Sequence, residues 1–302
     1  MGLTSHNLKY LIKLAKQYEI QGPLLTLGNQ DCYATKDDII QWLKKAGLSR
    51  EIPKEIYLST SKSLKKINKK AVDYVHAKSF FEFIGIPVSD YYDIDKFDFD
   101  QPAIMHDLEQ PIDQKYHNYF NFVLDSGTLE HIFDIKAVMS NMVHITKPGG
   151  YVLQLIPAQN FLNHGFYQIS PTFFYDFYTA NGFEMIESYI VEIRGSKHRF
   201  YKYDQQKDYL SLFFKPSSRL FNCFLTRKVE SVKEITSPSQ YIYKMLDENP
   251  GSVESDWNKT RLDKTVAIMR KIVPMQFQGS FFNIWSFLKR LADKREYFDI
   301  KP

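Results

Sequence analysis

Hydrophobic positions along this chain switch repeatedly between two spacings. From Gly22 onward, short apolar runs alternate with stretches in which apolar residues recur every three or four positions, the pattern of a parallel sheet flanked by helices. "PLLTLG" predicts the first strand. "TKDDIIQWLKKAG" predicts the helix after it, with Thr35 as N-cap, Asp37 and Asp38 in the first turn and Gly47 just past the end. "IPVSDYYDID", "PAIMHDL" and "NFVLDSG" read as the second, third and fourth strands. A helix over "DIKAVMSNMVHITKPGG" buries Ile135, Val138, Met139, Met142 and Val143 and stops at Pro148-Gly149-Gly150. "YVLQLIPA" is the fifth strand. A helix near "SPTFFYDFYTANGF" opens at Pro171 and closes at Gly182, and "EMIESYIVEI" and "FNCFLTRKVE" supply two more strands.

Three segments stand outside this alternation. At the N-terminus, Leu8, Leu11, Ile12, Ala15 and Tyr18 recur at helical spacing with lysines between them, which predicts an amphipathic helix and no signal peptide. An insertion over residues 49–86 carries Lys62, Lys65, Lys66, Lys69 and Lys70 beside Leu64, Ile67 and Val72, a basic-faced helix read as a solvated face. Past Glu230, Phe282, Trp285, Leu288 and Leu291 define an apolar helix face suited to covering the sheet or joining a homodimer. The expected organisation is one α/β domain over residues 1–230, with a helical extension over 231–302.

Composition narrows the partners. Of the 302 residues 44% are hydrophobic, enough for a sizeable core, and a net charge of +4 is too mild to indicate a nucleic-acid-binding face. Cys32 and Cys223 lie far apart without metal-ligand spacing, so neither a disulfide framework nor a zinc site is expected, and a reducing cytoplasm fits best. No apolar run is long enough to span a bilayer.

The chemistry gathers at the predicted strand ends. Gly28-Asn29-Gln30-Asp31 follows the first strand, Asp93 and Asp95 close the second, Asp107 follows the third, and Asp125-Ser126 ends the fourth shortly before Glu130 and His131. A single acid at a strand end is usually a cap. Four in succession suggest a ligand site, because open parallel sheets bind ligands beyond the carboxyl ends of their strands.

With "FVLDSGTLEHIFD", "KPGGYVLQLIP" and "NHGFYQISPTFFYDFYTANGF", the region from about Leu24 to Lys228 resembles the class I S-adenosylmethionine-dependent methyltransferases. The resemblance implies a Rossmann-like, seven-stranded, mostly parallel sheet with the last strand antiparallel. It also implies S-adenosylmethionine as methyl donor, with S-adenosylhomocysteine as product. By the same resemblance Asp93, with Asp95 as competitor, meets the ribose hydroxyls, Asp107 meets the adenine amino group beside Leu108 or Met105, and Asp125 and Ser126 line the methionine end. The first loop departs from the family's glycine-rich pattern. "TLGNQDC" keeps only Gly28, with Thr26 in place of the acid, so Asp31 is the candidate partner for the donor's amino group, with Gly28 and Asn29 as further donor contacts in the loop.

Methyl transfer to a hydroxyl also needs a group that removes its proton. His164, in the loop after the fifth strand, is the preferred base and His131 the second, with Tyr167 and Gln168 to orient the acceptor. Glu130, His131 and His164 together form an alternative two-histidine, one-carboxylate metal site. "RGSKHRFYKYD" is expected as a solvated loop. If it binds, Arg199 is its anion contact and the acceptor is an anionic small molecule such as a nucleotide-sugar or surface-polysaccharide precursor. Two other readings stay open: a methyltransferase of RNA or DNA, disfavoured because "DSGT" lacks a Pro-Pro-aromatic turn, and a non-catalytic binding module that keeps the fold.

Overall fold

The computed structural model describes residues 2–48, 51–59, 72–98, 101–195, 197–208, 214, 217–248 and 296–300. The basic-faced helix expected over residues 62–70 and the apolar helix from Phe282 to Leu291 lie outside the described residues. A short strand β1 (Gly2–Leu3) leads into α1 (Ser5–Gln17), β2 (Leu24–Leu27), β3 (Asp31–Cys32), α2 (Lys36–Ala46) and α3 (Ala77–Phe83). Next come β4 (Tyr91–Asp95), β5 (Ile104–Met105), β6 (Phe120–Asp125), α4 (Ile135–Ile145), β7 (Thr146–Gln159) and α5 (Pro171–Ala180). The chain closes through β8 (Phe183–Arg194), β9 (Lys197–Lys202), α6 (Gln205–Asp208), β10 (Arg219–Lys228), α7 (Tyr241–Glu248) and β11 (Tyr297–Ile300).

The main sheet runs in the order β11-β9-β8-β10-β7-β6-β2-β4-β5. Its five strands from β5 to β7 are parallel, and β10 lies antiparallel to both β7 and β8. The expected seven-stranded core is therefore present, with the antiparallel member last of the seven in the chain. β9 and β11 extend it beyond β8 by antiparallel pairing. β9 replaces the loop expected at "RGSKHRFYKYD". There the period-two alternation around Phe200, which is buried against Tyr189 and Phe298, outweighs the charge of the segment.

Alternation in the central strands buries both faces. Leu24, Phe122, Leu124 and Leu153 join the core with α1, α2 and α3, whereas Leu25, Leu27, Val123 and Val152 join the core with α4 and α5. Local signals act as expected at α2, where Thr35 and Asp38 form a reciprocal capping box and Gly47 takes the left-handed conformation. α4 departs from expectation by ending at Ile145, and Thr146 enters β7 directly. Gly150 serves that crossing, since a Cβ there would stand 2.8–3.0 Å from the carbonyl oxygens of Lys147, Phe120 and Asn121. Both cysteines are buried and not disulfide-bonded. No described helix is long and apolar enough to cross a membrane.

Candidate functional site

The carboxyl ends of β2, β4, β5, β6 and β7 share one rim, and two cavities open along it. The first, about 580 Å³, lies over β2, β4 and β5 and is lined by Gly28, Asp95, Asp107, Leu108, Thr128 and His131 among others. Gly28 takes φ +71° there, and its N–H donates to the Ile94 carbonyl at 2.8 Å, which pulls the loop down between two strands. Asp107 accepts from Lys96 at 2.7 Å and from the Glu109 N–H at 3.1 Å, and the Lys96 hydrogen bond is the main reason its carboxyl sits below the usual range.

The parallel register sets the two candidate acids of β4 at different depths. Asp93 pairs beside Thr26, below the rim, and its Oδ1 accepts from the Ala103 N–H at 2.8 Å. Asp95 pairs with Met105 at the strand end and lines the cavity, so of the two acids it is the one within reach of a ligand there. Met105 is exposed and outside the cavity lining, which leaves Leu108 as the apolar neighbour.

Asn29 and Asp31 do not reach this cavity. Asn29 Oδ1 meets His76 Nε2 at 3.0 Å, Asp31 accepts from the Ser59 hydroxyl, and the Asp31 backbone pairs with Gly2. The first loop is thus tied to the insertion and the N-terminus. Thr26, where the family carries an acid, shares a 2.9 Å hydrogen bond with the Tyr91 hydroxyl inside the sheet.

The second cavity, about 570 Å³, lies over β6 to β9. Ser126, Gly127, Glu130 and His164 form one side, with Leu155, Phe161, Phe200 and Phe221 as an apolar wall. Thr4, Ser5, Asn7 and Tyr10 of the N-terminal segment close another side. α1 is held there because the Tyr10 and Tyr18 hydroxyls donate to Glu187 at 2.7 and 3.1 Å. No lysine or arginine lines the second cavity among the described residues.

Asp125, expected at the methionine end, is fully buried and lines neither cavity. Its Oδ1 caps the turn after β6 by accepting from the Thr128 and Leu129 N–H groups at 3.0 and 3.4 Å, and its Oδ2 accepts from Gln154 at 3.3 Å. Burial pushes its carboxyl up to about 6, against the opposing pull of those hydrogen bonds. A folded value above the ordinary 3.8 means that its stabilising share is complete below that pH and is lost as pH rises through about 6. Asp125→Asn is therefore expected to flatten the decline in stability between pH 4 and 7. Gln154 Oε1, buried without a partner, would accept from the new amide after a flip. Urea denaturation across that range checks this, and a slope equal to wild type contradicts it.

Between the two cavities stand Glu130, His131 and His164. Glu130 and His131 belong to the single 3₁₀ turn after β6, and His164 to the loop after β7. His131 lines the first cavity and His164 the second. Glu130 Oε1 lies 3.4 Å from His164 Nε2 and 3.9 Å from His131 Nε2, and the two rings are 5.0 Å apart. The carboxylate is fully buried, and neither oxygen has a hydrogen-bond partner. Burial first, and the Asp125 charge second, push it up to about 8. Burial also lowers the His131 imidazole, with His164 adding to the effect.

The remaining sequence-predicted contacts belong to loop architecture. The Tyr167 hydroxyl donates to the Phe133 carbonyl at 2.8 Å, and Gln168 Oε1 accepts from the Phe161 N–H at 2.8 Å. Arg199 makes a bidentate pair with Asp299 at 2.6 and 2.9 Å and stacks over Tyr297. Its neighbours His198 and Phe200 line the second cavity, and strand alternation sends Arg199 to the other face. Arg199 therefore does not line this cavity. What the sequence reading missed is the wall made by Thr4, Tyr10 and Tyr33, whose only signal was aromatic content next to an amphipathic helix.

By its core strand order, with the antiparallel strand last of the seven, the fold is the one the sequence resemblance implies. No family model matches the chain, and no match was found among curated proteins. Among solved structures it is similar to 1,6-didemethyltoxoflavin-N1-methyltransferase from Burkholderia thailandensis, solved with 1,6-didemethyltoxoflavin and S-adenosylhomocysteine. That likeness has 8% identity and a TM-score of 0.36 and covers 75% of this chain and 80% of that one. It is similar to the YcgJ protein from Bacillus subtilis at 11% identity and a TM-score of 0.36, covering 74% of this chain and 99% of that one. The branched-chain polyamine synthase from Thermus thermophilus, solved with N4-aminopropylspermidine and 5'-methylthioadenosine, gives 14% identity and a TM-score of 0.34, covering 76% of this chain and 57% of that one.

Proposed function

We propose that this protein transfers the methyl group of S-adenosylmethionine to a hydroxyl or amine of a small, largely apolar acceptor. The observation that carries the reading is the pair of cavities on one sheet rim, with Glu130, His131 and His164 where they meet. In this reading the adenosyl group occupies the first cavity, with Asp95 accepting from the ribose hydroxyls, Asp107 facing the adenine amino group and Leu108 packing on the base. The sulfonium then points toward the gap between His131 and His164. Methyl transfer is an in-line displacement, so holding donor and nucleophile at contact distance and excluding water supplies most of the rate. The acceptor sits in the second cavity, with its reacting group beside His164.

The lining favours an apolar or aromatic acceptor over the anionic sugar precursor suggested by the sequence, because Leu155, Phe161, Val191 and Phe221 offer contact area and no cationic side chain. One observation favours a non-catalytic binding module instead. The first loop, which the family uses for the donor, is tied to His76 and Ser59.

Calorimetric titration with S-adenosylmethionine separates the two. The enzyme reading expects binding in the micromolar range and competition by S-adenosylhomocysteine. His164→Ala is expected to keep that binding and lose transfer of labelled methyl to hydroxylated aromatic test acceptors. Absence of binding to well-folded protein overturns the reading.

A further inference from the structure

The groups between the cavities have the composition and spacing of a metal-ligand set. One donor atom each from Glu130, His131 and His164 can be chosen so that all lie within 4.8 Å of one another. Bond lengths of about 2.0–2.1 Å to nitrogen and oxygen put donors on one ion about 3.0–3.4 Å apart. The Glu130 to His164 separation of 3.4 Å already meets that spacing, whereas the 3.9 Å separation to His131 and the two imidazole donors, which lie within 4.8 Å of each other, must close onto the ion by side-chain rotation.

Two further observations support the site, the first by pointing to a cation and the second by fixing its geometry. The first is the carboxylate, which is wholly enclosed with both oxygens unpartnered although it stands beside two imidazoles. Burying such a group without a partner is costly, and a bound cation would offset that cost. Both rings remain partly open, with side-chain exposures of 38% for His131 and 47% for His164, so an ion held there keeps positions open to the cavities. The second is how firmly the loops are joined. The Glu130 carbonyl accepts from the Phe166 and Tyr167 N–H groups at 2.8 and 3.2 Å, and a Cβ on Gly165 would come within 2.6 Å of that carbonyl oxygen. The His164 loop is thus fixed against Glu130 by backbone contacts.

We propose that Glu130, His131 and His164 bind one divalent first-row transition-metal ion. Two imidazoles and one carboxylate suit manganese, iron, cobalt or zinc better than magnesium or calcium, which prefer all-oxygen shells. Its role rests on the methyl-transfer reading. An acceptor hydroxyl entering from the second cavity takes an open coordination position and gives its proton to solvent water. The resulting alkoxide attacks the methyl carbon. The new O–C bond forms as the C–S bond breaks, and the bonding pair leaves with sulfur as a neutral thioether. The alkoxide charge and the sulfonium charge cancel in the products, and no redox change is needed. His164 then acts as a ligand, and the ion rather than the imidazole acidifies the hydroxyl.

The test uses the full chain without a histidine tag, cleared of metal by chelator and titrated with cobalt(II), manganese(II) and zinc(II). Heat and the visible ligand-field bands of cobalt are the readouts. Wild type is expected to bind a single ion with micromolar or tighter affinity. Glu130→Gln and His164→Ala are each expected to lose more than about 100-fold in affinity. His131→Asn is a third variant in case one of these fails to fold, as judged by circular dichroism. No binding by wild type, or full stoichiometry and affinity in the folded variants, overturns the proposal. Titration of the same samples with S-adenosylmethionine keeps the outcomes apart: donor binding without metal binding removes only the ion, and metal binding without donor binding removes only the methyl-transfer reading.

Discussion

Glu130→Gln is expected to stabilise the metal-free protein by about 2–4 kcal/mol at pH 9 and to change it little at pH 4.5. The carboxylate is enclosed without a hydrogen-bond partner, so the fold favours its protonated form and its pKa rises from 4.5 to about 8. The sign follows from linkage. A carboxyl whose folded pKa exceeds its unfolded value contributes stability that is complete below the unfolded value and is lost as pH climbs through the folded one. Wild type therefore weakens progressively between about pH 4.5 and 8, and glutamine, which cannot ionise, removes that decline. Water entry on charging keeps the loss well below the full cost of burying an unpaired carboxylate. Guanidinium denaturation at several pH values, with chelator present, measures the difference. Parallel pH profiles for the two proteins would show that the buried acid is not what sets the slope. Adding the metal is expected to reverse the ranking, because it stabilises only the protein that binds it. Such a cost borne at a functional cluster is the ordinary trade between stability and activity.

The second large effect concerns the donor. Asp95→Ala is expected to weaken S-adenosylmethionine binding by about 10- to 100-fold, since hydrogen bonds to a charged acceptor are worth about 1.5–3 kcal/mol. Asp93→Ala is expected to leave that affinity within about threefold and to lower stability by about 1 kcal/mol, the usual cost of losing one hydrogen bond. The contrast follows from depth along one strand: the two acids share a face of β4 and each accepts one backbone N–H, Asp93 from Ala103 and Asp95 from Phe97, but only Asp95 lines the cavity. Calorimetry on both variants decides it. A larger loss of affinity at Asp93 would return the ribose contact to the deeper acid.

Much of this molecule is legible from local pattern because the forces behind the pattern are local. Thr35 and Asp38 cap α2 as their spacing requires, and the alternation in β2, β6 and β7 sorts side chains onto two buried faces. The succession of strand and helix likewise leaves few topologies in which acids at strand ends do not share a rim. Other features depend on residues remote in the chain. β9 is stabilised by pairing with β11, which begins nearly a hundred residues later at Tyr297, and the charge of "RGSKHRF" concealed it. Arg199 and Asp299 meet only because those two strands pair.

What the sequence by itself determined is the kind of fold, its principal elements and the group of candidate residues at the strand ends, because helix and strand periodicity, capping and parallel connection are set within tens of residues. Only the tertiary structure decided which members of that group face a cavity. It set Asp95 at the cavity and Asp93 below it, enclosed Asp125 as a turn cap, turned Asn29 and Asp31 toward the insertion, and brought Glu130, His131 and His164 together. Periodicity gives the face on which a side chain lies but not its depth along the strand, nor whether a neighbour has already taken its hydrogen bonds. Those depend on register and on packing between segments far apart in the chain.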